Sequence, residues 1–180
     1  MVRLQRTNNM GTRNASNTGK GFEAALEGMF ALYETKGLAR IKKVDPPTAF
    51  AGRRLVNKRN PWLDYSGCWR GASIHIEAKS RTPAATKTPD EHWIRLRAKS
   101  GGMTERQVDE LIAWGKSGAI VVVVWELMGV GTRLFDWSII HDSDKMGINR
   151  MYWAEGVDVE ATAMGPDVLR TIERAHGGLM

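Results

Sequence analysis

Leu63-Asp64-Tyr65-Ser66-Gly67, followed by Gly71-Ala72-Ser73-Ile74-His75-Ile76-Glu77-Ala78-Lys79, is the stretch that organises this 180-residue chain. Its second half alternates. Ile74, Ile76 and Ala78 point one way and His75, Glu77 and Lys79 the other, the period-two pattern of a strand with one face in a core. Glu77 and Lys79 are therefore neighbours on the polar face. A Gly-containing turn over residues 66–71 predicts a hairpin that carries Asp64 back beside Glu77. Two carboxylates that close repel unless a proton or a cation sits between them, and all-oxygen ligation suits Mg²⁺ or Mn²⁺. A lysine beside such a pair can orient or deprotonate a bound water, or stabilise charge developing on a phosphate. The same residues also suit a salt-bridged surface hairpin, because strand faces often carry Glu and Lys two residues apart.

The bulk composition narrows the function classes. A hydrophobic content of 42% with 26% charged residues is that of a globular protein, and 180 residues suffice for one compact unit. Cys68 is the sole cysteine, so no intramolecular disulfide can form and a reducing cytoplasm is the expected compartment. Residues 1–6 lack the apolar core of a secretory signal, and the apolar run at 119–125 is too short to span a bilayer, so no membrane association is expected. The net charge of +6 is uneven. Residues 1–60 hold twelve Lys/Arg against four Asp/Glu, whereas residues 101–180 hold seven against twelve. The N-terminal half is thus suited to a polyanion.

Along the chain, residues 1–16 read as a flexible basic arm, with Arg3, Arg6 and Arg13 among polar residues, and residues 17–180 as a single domain. Phe22, Leu26, Met29, Phe30 and Tyr33 predict a helix over residues 20–36, capped by Asn17 or Thr18 and closed by Gly37. Glu23 lies at the edge of its apolar stripe, either as a salt-bridged surface group or as a third acid aimed at the Asp64–Glu77 pair. Residues 38–44 alternate as a strand, ended by Asp45-Pro46-Pro47-Thr48. Residues 49–61 read as a basic loop or short arm carrying Arg53, Arg54, Lys58 and Arg59, and residues 80–92 as a flexible loop with Arg81 and Lys87. Together with Arg13 and Lys20 these are the candidate DNA-binding cations. A short strand at 93–97 has arginines outward. A helix at 103–116 follows, capped by Thr104, and then a central buried strand at 119–127 paired with residues 133–137. His141, Asp142 and Asp144 read as a solvated loop rather than a metal site, because no second histidine stands at ligand spacing. Residues 151–153 suggest a strand and 166–175 a terminal helix with Pro166 in its first turn.

The order and spacing of Asn17-Thr18-Gly19-Lys20-Gly21-Phe22-Glu23, the helix to Tyr33, residues 39–43, Pro47-Thr48, Asp64-Tyr65-Ser66-Gly67 and residues 71–79 resemble RecU-type Holliday junction resolvases. Asp64 … Glu77-Ala78-Lys79 resembles the signature of their superfamily, the PD-(D/E)XK nucleases. Gln107 and Gly118-Ala119-Ile120 continue the likeness, which covers residues 17–127.

The resemblance implies an α/β fold of restriction-endonuclease-like kind, a mixed central sheet flanked by helices. It implies Mg²⁺ (or Mn²⁺) on Asp64, Glu77 and the Ala78 carbonyl, Lys79 as the catalytic lysine, Glu23 as the helix-borne acid and Gln107 as a polar residue near the site. Thr48 falls where the family carries a Pro-Thr-Pro element, here reordered as Pro46-Pro47-Thr48, and Arg53 and Arg54 where it carries a basic protruding arm. The implied substrate is a four-way DNA junction, cut by paired nicks. Its near two-fold symmetry points to a homodimer, and a recombinase is a further implied partner. The implied setting is a bacterial cytoplasm beside the nucleoid, or the host cytoplasm for a phage protein. Two other readings share these residues: a PD-(D/E)XK endonuclease of repair or restriction type, and a catalytically idle DNA-binding or recombination-modulating protein. In a basic structural module, by contrast, Asp64 and Glu77 would lie apart.

Overall fold

Phe22, Leu26, Met29 and Phe30 recur at helical spacing and are all buried, forming the inner face of α1 (Ala15–Thr35). The computed structural model describes residues 15–45, 48–51, 54–57 and 63–175. Helix α1 starts earlier than residue 20, so Asn17 and Thr18 lie within it rather than capping it. No apolar periodicity marks that first turn. The helix closes where the Leu38 N–H reaches back to the Tyr33 carbonyl at 3.0 Å, with Gly37 in the left-handed region.

Strand β1 (Ala39–Lys43) pairs antiparallel with β4 (Tyr65–Trp69), and a hairpin of β2 (Thr48–Ala51) and β3 (Arg54–Asn57) lies between them in the chain. The expected loop at 49–61 is therefore a β-hairpin in its described part, and Arg54 stands on β3. Arg13, Arg53, Lys58 and Arg59 lie outside the described residues.

Strand β4 turns into β5 (Ala72–Arg81) through two residues, Arg70 and Gly71, at φ +48° and +86°. Positive φ at both positions gives the twist that a tight hairpin needs. This replaces the wider turn expected at 66–71. Ser66, Gly67 and Cys68 have turn-like composition, yet they pair with β1 on one side and β5 on the other. Gly67 serves close approach instead, since a Cβ there would stand 2.0 Å from the Arg40 carbonyl oxygen.

The chain continues through β6 (Trp93–Arg95), α2 (Glu105–Lys116), β7 (Ile120–Leu127), β8 (Gly131–Asp136), α3 (Trp137–Lys145), β9 (Arg150–Tyr152), β10 (Val157–Asp158), β11 (Ala161–Thr162), β12 (Gly165–Pro166) and α4 (Val168–Ala175). The main sheet has the order β1-β4-β5-β7-β8-β10. Strands β5 and β7 are parallel, joined by the α2 crossover, and the other neighbours are antiparallel. Alternate residues of β7 feed two cores. Val122 and Val124 meet α1 and α4 on one face, while Val121, Val123 and Trp125 meet α2 and α3 on the other. Each such fully buried side chain contributes about 1.5–3 kcal/mol. The result is a mixed central sheet with helices on both faces, as the sequence predicts.

Several boundaries differ from the sequence expectation. Ser80 and Arg81 extend β5, and Pro89–Glu91 form a 3-10 turn within the expected loop. Residues 141–144 belong to α3, whose N-cap Asp136 accepts the Ser138 N–H at 2.9 Å, so Trp137 opens a helix rather than ending a strand. Trp153 opens a 3-10 turn, and Pro166 sits in β12, with α4 beginning at Val168. No described helix is long and apolar enough to cross a membrane.

Candidate active site

The β4–β5 register sets Tyr65 opposite Ile76, so Asp64, one residue earlier, stands level with Glu77. The Ala78 N–H donates to Asp64 Oδ2 at 2.9 Å and locks the aspartate against β5. Burial pushes the Asp64 carboxyl above its usual range, opposed by that N–H and by Lys79.

Glu77 is fully buried. The face it shares with His75 and Lys79 is not the solvent-facing side suggested by simple alternation, because α2 lies over it. The His75 ring stacks on Trp114 at 4.2 Å, and its two nitrogens face Ser66 Oγ (3.2 Å) and Ser73 Oγ (3.0 Å), which takes it out of the candidate chemistry. Glu77 Oε1 accepts from Lys79 Nζ and, at 2.5 Å, from Gln107 Nε2. Among the described residues, Glu77 Oε2 is buried with no hydrogen-bond partner. Burial pushes this carboxyl up to about 7; Lys79 opposes the rise, the Asp64 charge adds to it and the Asp64 backbone N–H works against it.

Gln107 is placed by a helix cap. Thr104 and Gln107 form a capping box, in which the Gln107 N–H donates to Thr104 Oγ1 at 3.2 Å and the Thr104 N–H to Gln107 Oε1 at 3.0 Å. With its oxygen engaged there, the Gln107 amide presents its nitrogen to Glu77. Such a cap is worth about 1 kcal/mol, so the same residues start α2 and hold Glu77.

Glu23 comes from α1. Its Oε2 accepts from Lys43 Nζ at 2.5 Å, and Glu27 Oε1 lies 3.6 Å from the same ammonium. Glu23 is near enough to Asp64 to raise that carboxyl, and Lys43 near enough to lower it. The ion-paired reading of Glu23 is realised, and its charge is also felt by Asp64. Lys43 was not legible as a site residue. It arrives there because β1 pairs with β4, setting Lys43 opposite Tyr65 and the Val44 N–H on the Asp64 carbonyl at 2.8 Å.

The other sequence-predicted cations are dispersed. Lys20 is exposed on α1 three residues before Glu23, and Lys87 is exposed in the loop before the 3-10 turn. Arg81 is half-buried and donates to the Trp93 and Gly101 carbonyls, so its guanidinium braces a loop instead of facing a ligand. Among the described residues, His141, Asp142 and Asp144 do not form a metal-binding group with a third ligand: Asp144 is held by Arg97, while His141 lies 3.4 Å from Asp142 and packs its ring against Trp137.

Among the described residues no three His, Cys, Asp or Glu side chains converge on one metal-binding point. Asp64 and Glu77 nevertheless fit a hard cation. Two raised carboxyls lie side by side, one with a buried oxygen that makes no hydrogen bond among the described residues, and backbone carbonyls and water are ordinary additional ligands for Mg²⁺ or Mn²⁺.

No protein-family model and no curated protein matches this sequence. Among solved structures, the chain is similar to Hjc of Archaeoglobus fulgidus, a Holliday junction resolvase from an archaeal hyperthermophile. The identity is 23%, over 67% of this chain and 78% of that one, at a TM-score of 0.39.

Proposed function

We propose that the chain is a metal-dependent endodeoxyribonuclease of the RecU type that resolves four-way DNA junctions by paired phosphodiester hydrolysis. The observation that carries this reading is Glu77: fully buried beside Asp64, bonded on one oxygen by Lys79 and Gln107, and unpartnered on the other. A buried carboxylate with a free oxygen is costly as a structural element and useful as a ligand.

Asp64, Glu77 and the Ala78 carbonyl are the groups that would hold Mg²⁺ or Mn²⁺, which when bound supplies Lewis acidity toward water and a phosphate oxygen. Lys79 is 22% exposed while Glu77 is sealed, so its ammonium is the group of the pair that meets the substrate. There it orients the attacking water and offsets charge gathering on the phosphoryl oxygens. Gln107 positions Glu77 and keeps its second oxygen turned away from Lys79. Glu23, secured by Lys43, keeps an acid beside Asp64, where it would accept a hydrogen bond from a bound water.

The branched substrate is proposed from the family resemblance and from the basic N-terminal half. The β2–β3 hairpin, carrying Arg54 and lying between β1 and β4, supports a basic arm like that of the resembled family. Paired nicks in a nearly two-fold junction call for two sites, hence a homodimer, and loading by a recombinase is consistent with the same role.

Cleavage of a labelled synthetic four-way junction with Mg²⁺ or Mn²⁺, beside linear duplex of the same sequence and the Asp64→Asn protein, tests this reading. Symmetric nicks in the junction alone, lost in the variant, are expected. Equal cutting of both substrates removes the junction specificity, and binding without cutting favours the idle DNA-binding alternative.

A further inference from the structure

Strands β6 and β9 form a two-stranded antiparallel ribbon apart from the main sheet. Its register pairs Trp93 with Tyr152, Ile94 with Met151 and Arg95 with Arg150. Residues directly opposite share a face. Ile94 and Met151 are fully buried in the α2-side core, so the other two pairs point outward. Arg95, Arg150 and Tyr152 are exposed and Trp93 is half-buried.

The outward face is chemically unusual. Two arginines directly opposite each other repel, a pairing that costs stability in a sheet. Among the described residues neither has a carboxylate partner. Both guanidiniums lie instead over the Trp93 ring, at 4.6 Å for Arg150 and 5.8 Å for Arg95. The ring draws both cations onto one outward face, and among the described residues their N–H donors make no hydrogen bond. Nearby acids are engaged elsewhere: Glu155 accepts the Tyr152 N–H at 2.6 Å, and Glu91 caps Thr88.

The ribbon is also tied to the candidate active site. Arg81 lies on the same face of β5 as Glu77 and Lys79, about 7 Å along the strand from Lys79, and its guanidinium donates to the Trp93 carbonyl at 3.1 Å. A ligand gripped by Arg95 and Arg150 is therefore held by a platform braced directly to the strand that carries the catalytic residues.

We infer that the outer face of the β6–β9 ribbon is a phosphate grip for the DNA backbone as it approaches the Asp64–Glu77 site. Arg95 and Arg150 contact phosphates, Trp93 orients them and Tyr152 borders the contact. The inference rests on the nuclease reading for its ligand. The occupant is DNA rather than an apolar partner because the face presents two unneutralised planar cations with ten N–H donors between them, the chemistry that phosphate oxygens satisfy in bidentate fashion.

The test is anisotropy binding of a labelled four-way junction and a linear duplex, in EDTA so that nothing is cut, across a salt series. The double variant Arg95→Gln/Arg150→Gln should reduce the slope of log affinity against log salt by about two, and each single variant by about one. The Arg95→Lys/Arg150→Lys protein should keep most of the slope while binding more weakly, since lysine neither stacks nor bonds in bidentate fashion. Matched thermal unfolding of all variants excludes a folding defect. An unchanged slope and affinity in the Gln double variant overturns the inference. So does an unchanged slope with an altered oligomeric state by light scattering, which would make this face a contact between copies. A parent protein that binds DNA but never cuts it sinks the nuclease reading alone, because the slope comparison needs no catalysis.

Discussion

Two clusters of carboxylates around a cation lean on the first half of α2, and they differ in kind. Around Arg97, every carboxylate has the same cationic partner. Its guanidinium bonds both oxygens of Asp144 at 2.6 and 3.0 Å and Asp109 at 2.8 Å, with Glu105 at 3.7 Å. Arg97 holds the Asp144 carboxyl below its usual range. Around Glu77, two donors crowd one oxygen and the other is left without a partner, in full burial, with the carboxyl pushed up to about 7. The number of charges is similar. What separates a brace from a candidate site is an unsatisfied valence in a place that water does not reach.

Breaking each cluster should expose that difference. The largest effect is expected from Asp64→Asn or Glu77→Gln, which should lower junction cleavage by roughly a thousandfold or more while leaving gel-shift affinity intact or tighter. Equal loss of binding would take these residues out of the chemistry. Lys79→Ala comes next, with a single-turnover rate about a hundredfold to ten-thousandfold lower and little change in affinity; an unchanged rate removes the lysine from the mechanism.

The third effect is on stability and depends on pH. The folded Glu77 carboxyl titrates near 7 against an ordinary 4.5, so the native state binds the extra proton between those values. Stability of the metal-free protein should therefore fall as pH rises from about 4.5 to about 7, and stay level above. Glu77→Gln removes this loss. Urea unfolding in EDTA should find the variant more stable than the parent by up to about 3 kcal/mol at pH 8, with no such gain at pH 4. Added Mg²⁺ should stabilise the parent and not the variant. The smallest effect belongs to the satisfied cluster. Arg97→Ala, at a site one-third exposed, should cost under about 1 kcal/mol, less at high salt, with cleavage kept near the parent rate. A large catalytic loss there would erase the distinction between the two clusters.

Much of this was legible in the chain. The alternation of residues 74–79 locates β5, the apolar run after Gly118 locates the central β7, and Thr104 with Gln107 three residues later announces the cap of α2. Those signals are local and periodic, so they survive without a fold. The misreadings share a different cause. Ser66-Gly67-Cys68 looked like a turn because glycine signals both positive φ and close approach, and only the neighbouring Arg40 carbonyl distinguishes the two. Residues 141–144 looked like a loop because a short helix capped by Asp136 and packed through Ile140 has too few apolar positions to show a period. Arg81 looked like a DNA contact because charge alone does not reveal that two carbonyls already occupy its guanidinium.

By itself, the sequence determined the hairpin that brings Asp64 back beside Glu77, the helices α1 and α2, the strands β1, β5 and β7, and the basic first half of the chain. These follow from side-chain period, turn stereochemistry and composition, which act between near neighbours. Tertiary structure alone decided that the polar face of β5 would be buried under α2, that Glu77 would keep one oxygen without a donor, that Lys43 would reach Glu23, and that Trp93 would hold two arginines outward. Each depends on desolvation and on contacts between residues distant in the chain. Burial turns an ordinary glutamate into a candidate ligand, and no local pattern of residues encodes it.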